Sequence, residues 1–381
     1  MAEQEIRFNV PSLEGRETEY VAEAMRSGHS SSGGSFSSRA GDVIREEIGG
    51  AGVLLTTSCT SALELSAMVL DLQPGDTVIV PSFTFVTTAL AFVRQGARVL
   101  FCDVEPETLA ADPAHVAELM DDSVRAVVLV HYAGIAGDVS GLMDVLASRP
   151  EVALVEDVAH GPFGRWKDHP LGSLGRLSTF SFHETKNIVC GEGGALVVND
   201  AADLERAWVL YEKGTNRRAF MEGQVDKYSW RDIGSSFGLS DTLAAHLLGQ
   251  LEVRETIQAK RRHVHERYVD LLAEPCADLG VQLPVVPAAS DPAYHLFHLL
   301  LPDAATRNRV MAEMRAQGVQ ATFHYVPLHD SEGGRRFAAR PTECPVTTDV
   351  SSRLLRLPFH NNLTDAEAER VAEALLGALR R

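Results

Sequence analysis

The 381-residue sequence has no apolar run long enough to cross a bilayer, and its start, Met1-Ala2-Glu3-Gln4-Glu5-Ile6-Arg7, has neither the basic opening nor the apolar stretch of a secretory leader. The chain is therefore expected in the cytoplasm, off the membrane. Disulfide and metal signals are missing too. The five cysteines, Cys59, Cys102, Cys190, Cys276 and Cys344, are an odd number, scattered, with no C-x-x-C pair and no histidine at zinc-ligand spacing. Basic charge is scarce: a formal net charge of −17 disfavours nucleic acid, whose binding depends on Lys and Arg neutralising phosphates. An anionic small ligand would need a local basic patch. Lys213, Arg217, Arg218, Lys227 and Arg231 form one candidate, although composition alone favours the reading of a solvated loop.

No internal repeat is present, and the one low-complexity stretch, Ser27 to Ser38, reads as a flexible loop. What is there instead is alternation. Short aliphatic runs at 53–55, 77–80, 99–101, 126–130, 152–155, 179–182 and 195–198 alternate with helical patterns, which predicts an α/β fold with a large, mainly parallel seven-stranded sheet. Periodicity predicts helices at 61–70, 204–213 and, as one long element starting at a Ser240 cap, 240–268. A strand at 294–301 and helices at 305–317 and 364–379 suit a smaller α+β lobe. The expected division is a large domain over 1–251, with an N-terminal arm of 1–38, and a small C-terminal domain over 252–381.

In a wound sheet, ligands gather at the carboxyl ends of strands, so the loops there carry the candidates. Thr57-Ser58-Cys59-Thr60-Ser61 opens a helix, and can be either a phosphate cradle of free N–H groups or an ordinary N-cap. Glu156-Asp157-Val158-Ala159-His160 ends a strand. Asp157 there can face the protonated ring nitrogen of a pyridoxal cofactor or simply cap the next turn. Phe180-Ser181-Phe182-His183-Glu184-Thr185-Lys186-Asn187 puts a lysine on a strand-exit loop, suited to a Schiff base if its charge is lost. The following Gly191-x-Gly193-Gly194 precedes a strand instead of joining strand to helix, so it is no dinucleotide fingerprint. His131, His263 and His265 read as packing or surface histidines.

Five ordered segments, Ser58-Cys59-Thr60-Ser61-Ala62-Leu63, Pro81-Ser82-Phe83-Thr84-Phe85, Glu156-Asp157-x-Ala159-His160, Ser181-Phe182-His183-x-x-Lys186 and His324-Tyr325-x-Pro327-Leu328-His329, resemble the sugar aminotransferases of the aspartate-aminotransferase-like, fold-type I pyridoxal-phosphate enzymes. The likeness is greatest to the members that form TDP-4-amino-4,6-dideoxygalactose from TDP-4-keto-6-deoxyglucose with glutamate as donor. It implies pyridoxal 5'-phosphate, cycling through its pyridoxamine form, and Lys186 as the catalytic lysine. It further implies Asp157 at the pyridine nitrogen, Phe85 on the ring, and Thr60, Ser61 and Ser181 at the phosphate, with Cys59 and His183 beside them. His160 stands where a Gln is usual, and Ser236 where many relatives carry an Asn that reaches the neighbouring subunit's cofactor. A homodimer with active sites at its interface follows from the resemblance alone. So do substrate roles for Lys213, Arg217 and Arg231 at the nucleotide diphosphate and for His329 near the sugar. Amination at C3, a pyridoxal-phosphate sugar dehydratase and a non-catalytic sugar-nucleotide sensor are the rival readings; Lys186 argues against the dehydratase, whose relatives replace that lysine by His.

Overall fold

The structure, a computed structural model, describes residues 5–381. The first four residues of the polar start on which the absence of a leader was argued lie outside the described residues. In chain order the strands are β1 (Gly52–Thr56), β2 (Thr77–Pro81), β3 (Arg98–Cys102), β4 (Val124–Val130), β5 (Ala153–Asp157), β6 (Arg165–Trp166) and β7 (His169–Pro170). They continue with β8 (Leu177–Ser181), β9 (Gly194–Val198), β10 (Ser290–Asp291), β11 (His298–Leu300) and β12 (Leu354–Arg356). Each of the seven aliphatic runs becomes one strand of a single sheet, ordered β1-β9-β8-β5-β4-β2-β3. Five strands from β8 to β3 pair in parallel, and β9 alone runs against both its neighbours. Burial on both faces explains why those runs are continuously apolar instead of alternating.

Helix boundaries depart from expectation where local chemistry intervenes. The first sheet helix starts at Cys59 because Ser58, in extended conformation, takes the N–H of Ser61 at 3.1 Å. The helix Leu204–Tyr211 stops short of 213 because the backbone turns left-handed at Lys213 (φ 64°) and Gly214 (φ 72°). The long helix expected from 240 is two, Asp241–Leu251 and Arg254–Asp278, separated at Glu252 and Val253. The first is buried almost all round in the large lobe. In the second, Ile257 still joins that core, whereas Val264, Tyr268, Leu272 and Cys276 face another.

The loop expected over 27–38 is also corrected. Ser35–Ile48 is a helix, whose Phe36, Ala40, Ile44 and Ile48 recur every four residues and are all buried. Helices Glu17–Arg26 and Ser35–Ile48 pack on Asp241–Leu251. The arm of 1–38 thus divides: its beginning crosses to the other lobe, where Ile6 pairs with Val319 and enters the C-terminal core. That lobe builds on β11 and β12, covered by helices Ala304–Ala316 and Asp365–Leu379, the latter opened by a Thr364–Glu367 capping box. Only 298–300 of the expected strand 294–301 is a strand. Before it, Ala293 and His295 donate to the carbonyls of Gly134 and Ala133, drawing the chain toward the sheet's carboxyl edge. Among the described residues no helix is long and apolar enough to cross a membrane.

Candidate active site

The carboxyl ends of β1, β2, β4, β5 and β8 open on one cleft of about 620 Å³, closed from the other side by the 322–326 loop and by Arg356 at the end of β12. Asp157 ends β5 and is 4% exposed. Its Oδ2 accepts from the Thr88 hydroxyl at 2.9 Å and its Oδ1 from the Ala159 N–H at 3.1 Å. Asp157 therefore caps a turn and, at the same time, lines the cleft. Burial pushes its carboxyl above the ordinary range, against those two hydrogen bonds and the charge of Lys186. A cationic partner in the cleft would reverse that shift.

Lys186 follows β8 on a loop tied to the start of β9: Glu184 N–H donates to Gly191 O at 2.9 Å, and Lys186 N–H to His183 O at 2.9 Å. Burial pulls its amine down to about 8, with Arg356 acting in the same direction and Cys59 and Asp157 opposing. A neutral amine is thus accessible near neutral pH, as nucleophilic attack requires.

At the β1 end, Ser58 occupies the N–H of Ser61 with its hydroxyl and that of Ala62 with its carbonyl, while the first-turn N–H groups of Cys59 and Thr60 have no partner among the described residues. Ser181, the last residue of β8, sits beside them and is paired in the ladder with Gly194. A Cβ on Gly194 would come within 2.4 Å of Ser58 C and 2.5 Å of Cys59 N, so only glycine lets β9 support this turn. Ser61 lies in the same turn with its hydroxyl 2.9 Å from that of Thr57.

Opposite, His160 is 5% exposed and stacks on His295 with ring centroids 4.1 Å apart; its Nδ1 has no partner among the described residues. Burial and the nearby cations hold both rings far below the usual histidine range, so both are neutral. His295 is fixed by Asn187 Oδ1 at 2.7 Å, and Asn187 donates to Ala293 O. Phe85, at the start of helix Val86–Arg94, and His183, 2.9 Å from the Thr185 hydroxyl, also line the cleft.

The fold does not bring the remaining candidates to this cleft within one protomer. Ser236 is exposed and bridges Glu212, while Lys213 and Arg217 approach Glu212 at 3.9 and 3.4 Å. Arg231 is exposed in the same excursion, beside Tyr228, Trp230 and Ile233, whose apolar surfaces face solvent. His329 is turned aside, its Nδ1 sharing a hydrogen bond of 2.7 Å with the Ser82 hydroxyl. Conversely, Thr88, His295 and Arg356 line the cleft without having been singled out, as do His324 and Tyr325, which entered only as part of the segment His324-Tyr325-x-Pro327-Leu328-His329 and with no role of their own. A single charge inside the apolar run Leu354-Leu355-Arg356-Leu357 was the available signal for Arg356. His131 is structural: it meets Glu156 at 3.1 Å, both fully buried, and Glu156 also accepts the N–H groups of Gly172, Leu174 and Gly175.

A buried carboxylate, an amine with a lowered pKa, unpartnered helix N–H groups with a hydroxyl beside them, and an imidazole with an orphaned nitrogen are the donor set that pyridoxal 5'-phosphate requires. The DegT/DnrJ/EryC1/StrS aminotransferase family model matches residues 11–376. The chain is 32% identical over 330 residues to a dTDP-4-dehydro-2,3,6-trideoxy-D-glucose 4-aminotransferase of Saccharopolyspora spinosa, covering 84% of this chain and 83% of the relative. Among solved structures it is similar to the aminotransferase TlmJ of Streptoalloteichus hindustanus (30% identity, TM-score 0.89, 98% of this chain and 99% of the other). It is also similar to 3-amino-5-hydroxybenzoic acid synthase (26% identity, TM-score 0.88, 99% and 100%). With the sheet order, the cleft chemistry and a family match over nearly its whole length in agreement, the chain belongs to the DegT/DnrJ/EryC1/StrS aminotransferases and is a pyridoxal-phosphate enzyme of fold type I.

Proposed function

We propose that this enzyme moves an amino group from glutamate to C4 of a nucleotide-linked 4-keto-6-deoxyhexose in the cytoplasm, TDP-4-keto-6-deoxyglucose becoming TDP-4-amino-4,6-dideoxygalactose. The observation that carries amino transfer is Lys186, an amine brought to about 8, in one cleft with the buried carboxylate of Asp157. What supports C4 is the likeness to a 4-aminotransferase of a dTDP-4-dehydro sugar.

In this reading Cys59 and Thr60 bind the cofactor phosphate through their N–H groups, with the Ser181 hydroxyl and the Ser58–Ser61 turn completing the cradle. Asp157 keeps the ring nitrogen protonated, Phe85 covers the ring face, and His160 donates to the phenolic oxygen in place of the usual amide. The bound cofactor supplies the electron sink for loss of the Cα proton and carries the amino group between the two substrates. Lys186 Nζ removes the proton from the donor Cα and, in the second half of the cycle, delivers one to sugar C4. The 322–326 loop, with His324 and Tyr325, keeps water from the reacting atoms.

The exposed excursion of 213–236 supports a homodimer. Trp230 is 82% exposed and Met221 69%, a large apolar surface beside Lys213, Arg217, Arg231 and Ser236. In a two-fold dimer these residues would serve the partner's cleft, the cations meeting the nucleotide diphosphate.

The test is incubation of the purified holoenzyme with glutamate and TDP-4-keto-6-deoxyglucose, following 2-oxoglutarate and identifying the sugar by NMR. An axial 4-amino sugar is expected. A deoxygenated keto sugar with no nitrogen incorporated would sink the proposal, and an amine at C3 would move the site of amination.

A further inference from the structure

His160, assigned above to the cofactor's phenolic oxygen, has nothing polar to hold its ring. Among the described residues its side chain makes no hydrogen bond, and its Nδ1 is buried without a partner. The Gln usual at this position carries an amide that can be tied at both its atoms, whereas an imidazole with an idle nitrogen turns unless its faces are held. The face that holds it belongs to His295. The two rings lie 4.1 Å apart at 23°, while Tyr132 and His324 approach His160 only at 5.7 and 6.1 Å.

His295 is itself fixed from three directions. Its N–H donates to Ala133 O at 3.0 Å, its carbonyl accepts from the buried guanidinium of Arg261, and its Nδ1 stands 2.7 Å from Asn187 Oδ1. Tyr294 before it is left-handed at φ 51°, a conformation that a non-glycine residue keeps only when its surroundings enforce it, and Arg261 Nε donates to its carbonyl at 2.8 Å.

Asn187 decides which nitrogen of His295 carries the proton. It is 2% exposed, and its other amide atom meets Ala293 O at 2.6 Å; a carbonyl can only accept, so the NH₂ faces Ala293 and the amide oxygen faces the ring. The proton of His295 therefore lies on Nδ1, donated to Asn187. Because burial and the nearby cations keep the ring neutral, it has no second proton for the cleft. His295 acts on the cofactor only through a neighbour. Asn187 is also the residue next to Lys186, so the lysine's loop, the His295 ring from the C-terminal lobe and the His160 ring after β5 form one chain of contacts across the cleft.

We propose that His295 is a positioning residue: by stacking on His160 and bonding Asn187 it fixes the imidazole donor relative to Lys186 Nζ, and so sets how tightly the proton between that nitrogen and the cofactor's phenolic oxygen is held. The inference rests on the placing of His160 at that oxygen. A donor stabilises negative charge on the oxygen, so a His160 free to turn lets Nζ keep its proton to higher pH. Removing His295 takes no charge away, since the ring is neutral.

The experiment follows the visible absorbance band of the holoenzyme against pH, without substrate, in wild type, His160→Leu, His295→Leu and the double variant. His160→Leu should raise the midpoint by about one unit, tenfold in proton affinity, the effect of losing one hydrogen bond to a charged oxygen. His295→Leu should raise it by about half a unit or more, about threefold, but by less than about 0.2 units when His160 is already Leu, because it acts through that ring. Asn187→Ser leaves both rings in place and frees His295 to turn; it should shift the midpoint the same way, and takes the part of His295→Leu if that variant does not fold. The other titratable groups around the pair, Asp157, Cys59, Tyr132, Arg261, His324, Tyr325 and Arg356, are the same in every protein. No rise in His160→Leu defeats the placing of His160 and the inference with it. A rise there with none in His295→Leu or Asn187→Ser, or an equal rise from His295→Leu in both backgrounds, overturns the inference alone. The sugar reading is tested separately, since no substrate enters these titrations.

Discussion

Lys186 is expected to titrate at about 8 in the apoprotein, and this expectation can be broken into its causes. Burial supplies most of the shift from the ordinary 10.5; Arg356 adds to it, and Cys59 and Asp157 oppose it. At pH 7.5 the neutral fraction rises from about 0.1% at the ordinary value to about a quarter, a gain of about 200-fold in reactive amine. Trace labelling of the apoprotein with acetic anhydride from pH 6 to 11, with the Lys186 peptide quantified by mass spectrometry, reads that titration directly. Two substitutions test the signs. Asp157→Asn removes a negative charge that favours the ammonium, so the midpoint should drop below that of wild type; Arg356→Gln removes a positive charge that disfavours it, so the midpoint should rise. A wild-type midpoint above about 9.5, or an Asp157→Asn midpoint higher than wild type, would refute the claim that the cleft itself activates the lysine.

Three further outcomes follow from the same geometry. Glu156→Gln should destabilise the protein by about 3 kcal/mol in urea unfolding, because an amide NH₂ is pressed against backbone donors that a buried carboxylate now satisfies; unchanged stability would deny that Glu156 organises the turn before β8. Gly194→Ala should cost about 2 kcal/mol by overpacking against Ser58 and Cys59, and should weaken pyridoxal-phosphate binding more than Gly191→Ala, measured by equilibrium dialysis; equal effects would detach β9 from the phosphate turn. Stability should also fall as pH drops below 6.5. His160, His295 and His298 are held below their unfolded value of 6.5 by burial, so the unfolded chain takes up protons that the folded one refuses. The loss approaches about 1.4 kcal/mol per pH unit for each, and His298→Gln should flatten the slope of urea stability between pH 7 and 5.

Much of the core of this enzyme was legible because burial writes itself into composition. Strands covered on both faces read as uninterrupted Val, Ile, Leu and Ala runs, and all seven are found in the sheet. The chemistry at their ends was legible for a related reason: Asp157, Ser181 and the Ser58–Ser61 turn sit at strand exits, where a short loop fixes a side chain relative to its own strand. Boundaries were less legible. Nothing local separates Leu251 from Arg254 as a helix break, because what divides them is that the two helices serve different cores. The stripe of Phe36, Ala40, Ile44 and Ile48 was masked by the serines and glycines in front of it.

By itself, then, the sequence determined the wound sheet and, through the family resemblance, the cofactor class, and it put Lys186 forward as the lysine to test, since each depends on residues that are neighbours along the chain. Only the tertiary structure decided which distant groups meet that lysine. Arg356, His295 and Tyr325 come to it from the C-terminal lobe, whereas His329, close by in sequence, is held at Ser82, and Lys213, Arg217, Arg231 and Ser236 fold away from the same protomer's cleft. The physical reason is that a charge's environment, and with it the pKa of Lys186, is set by distances through space between lobes, which periodicity and spacing along one chain do not encode.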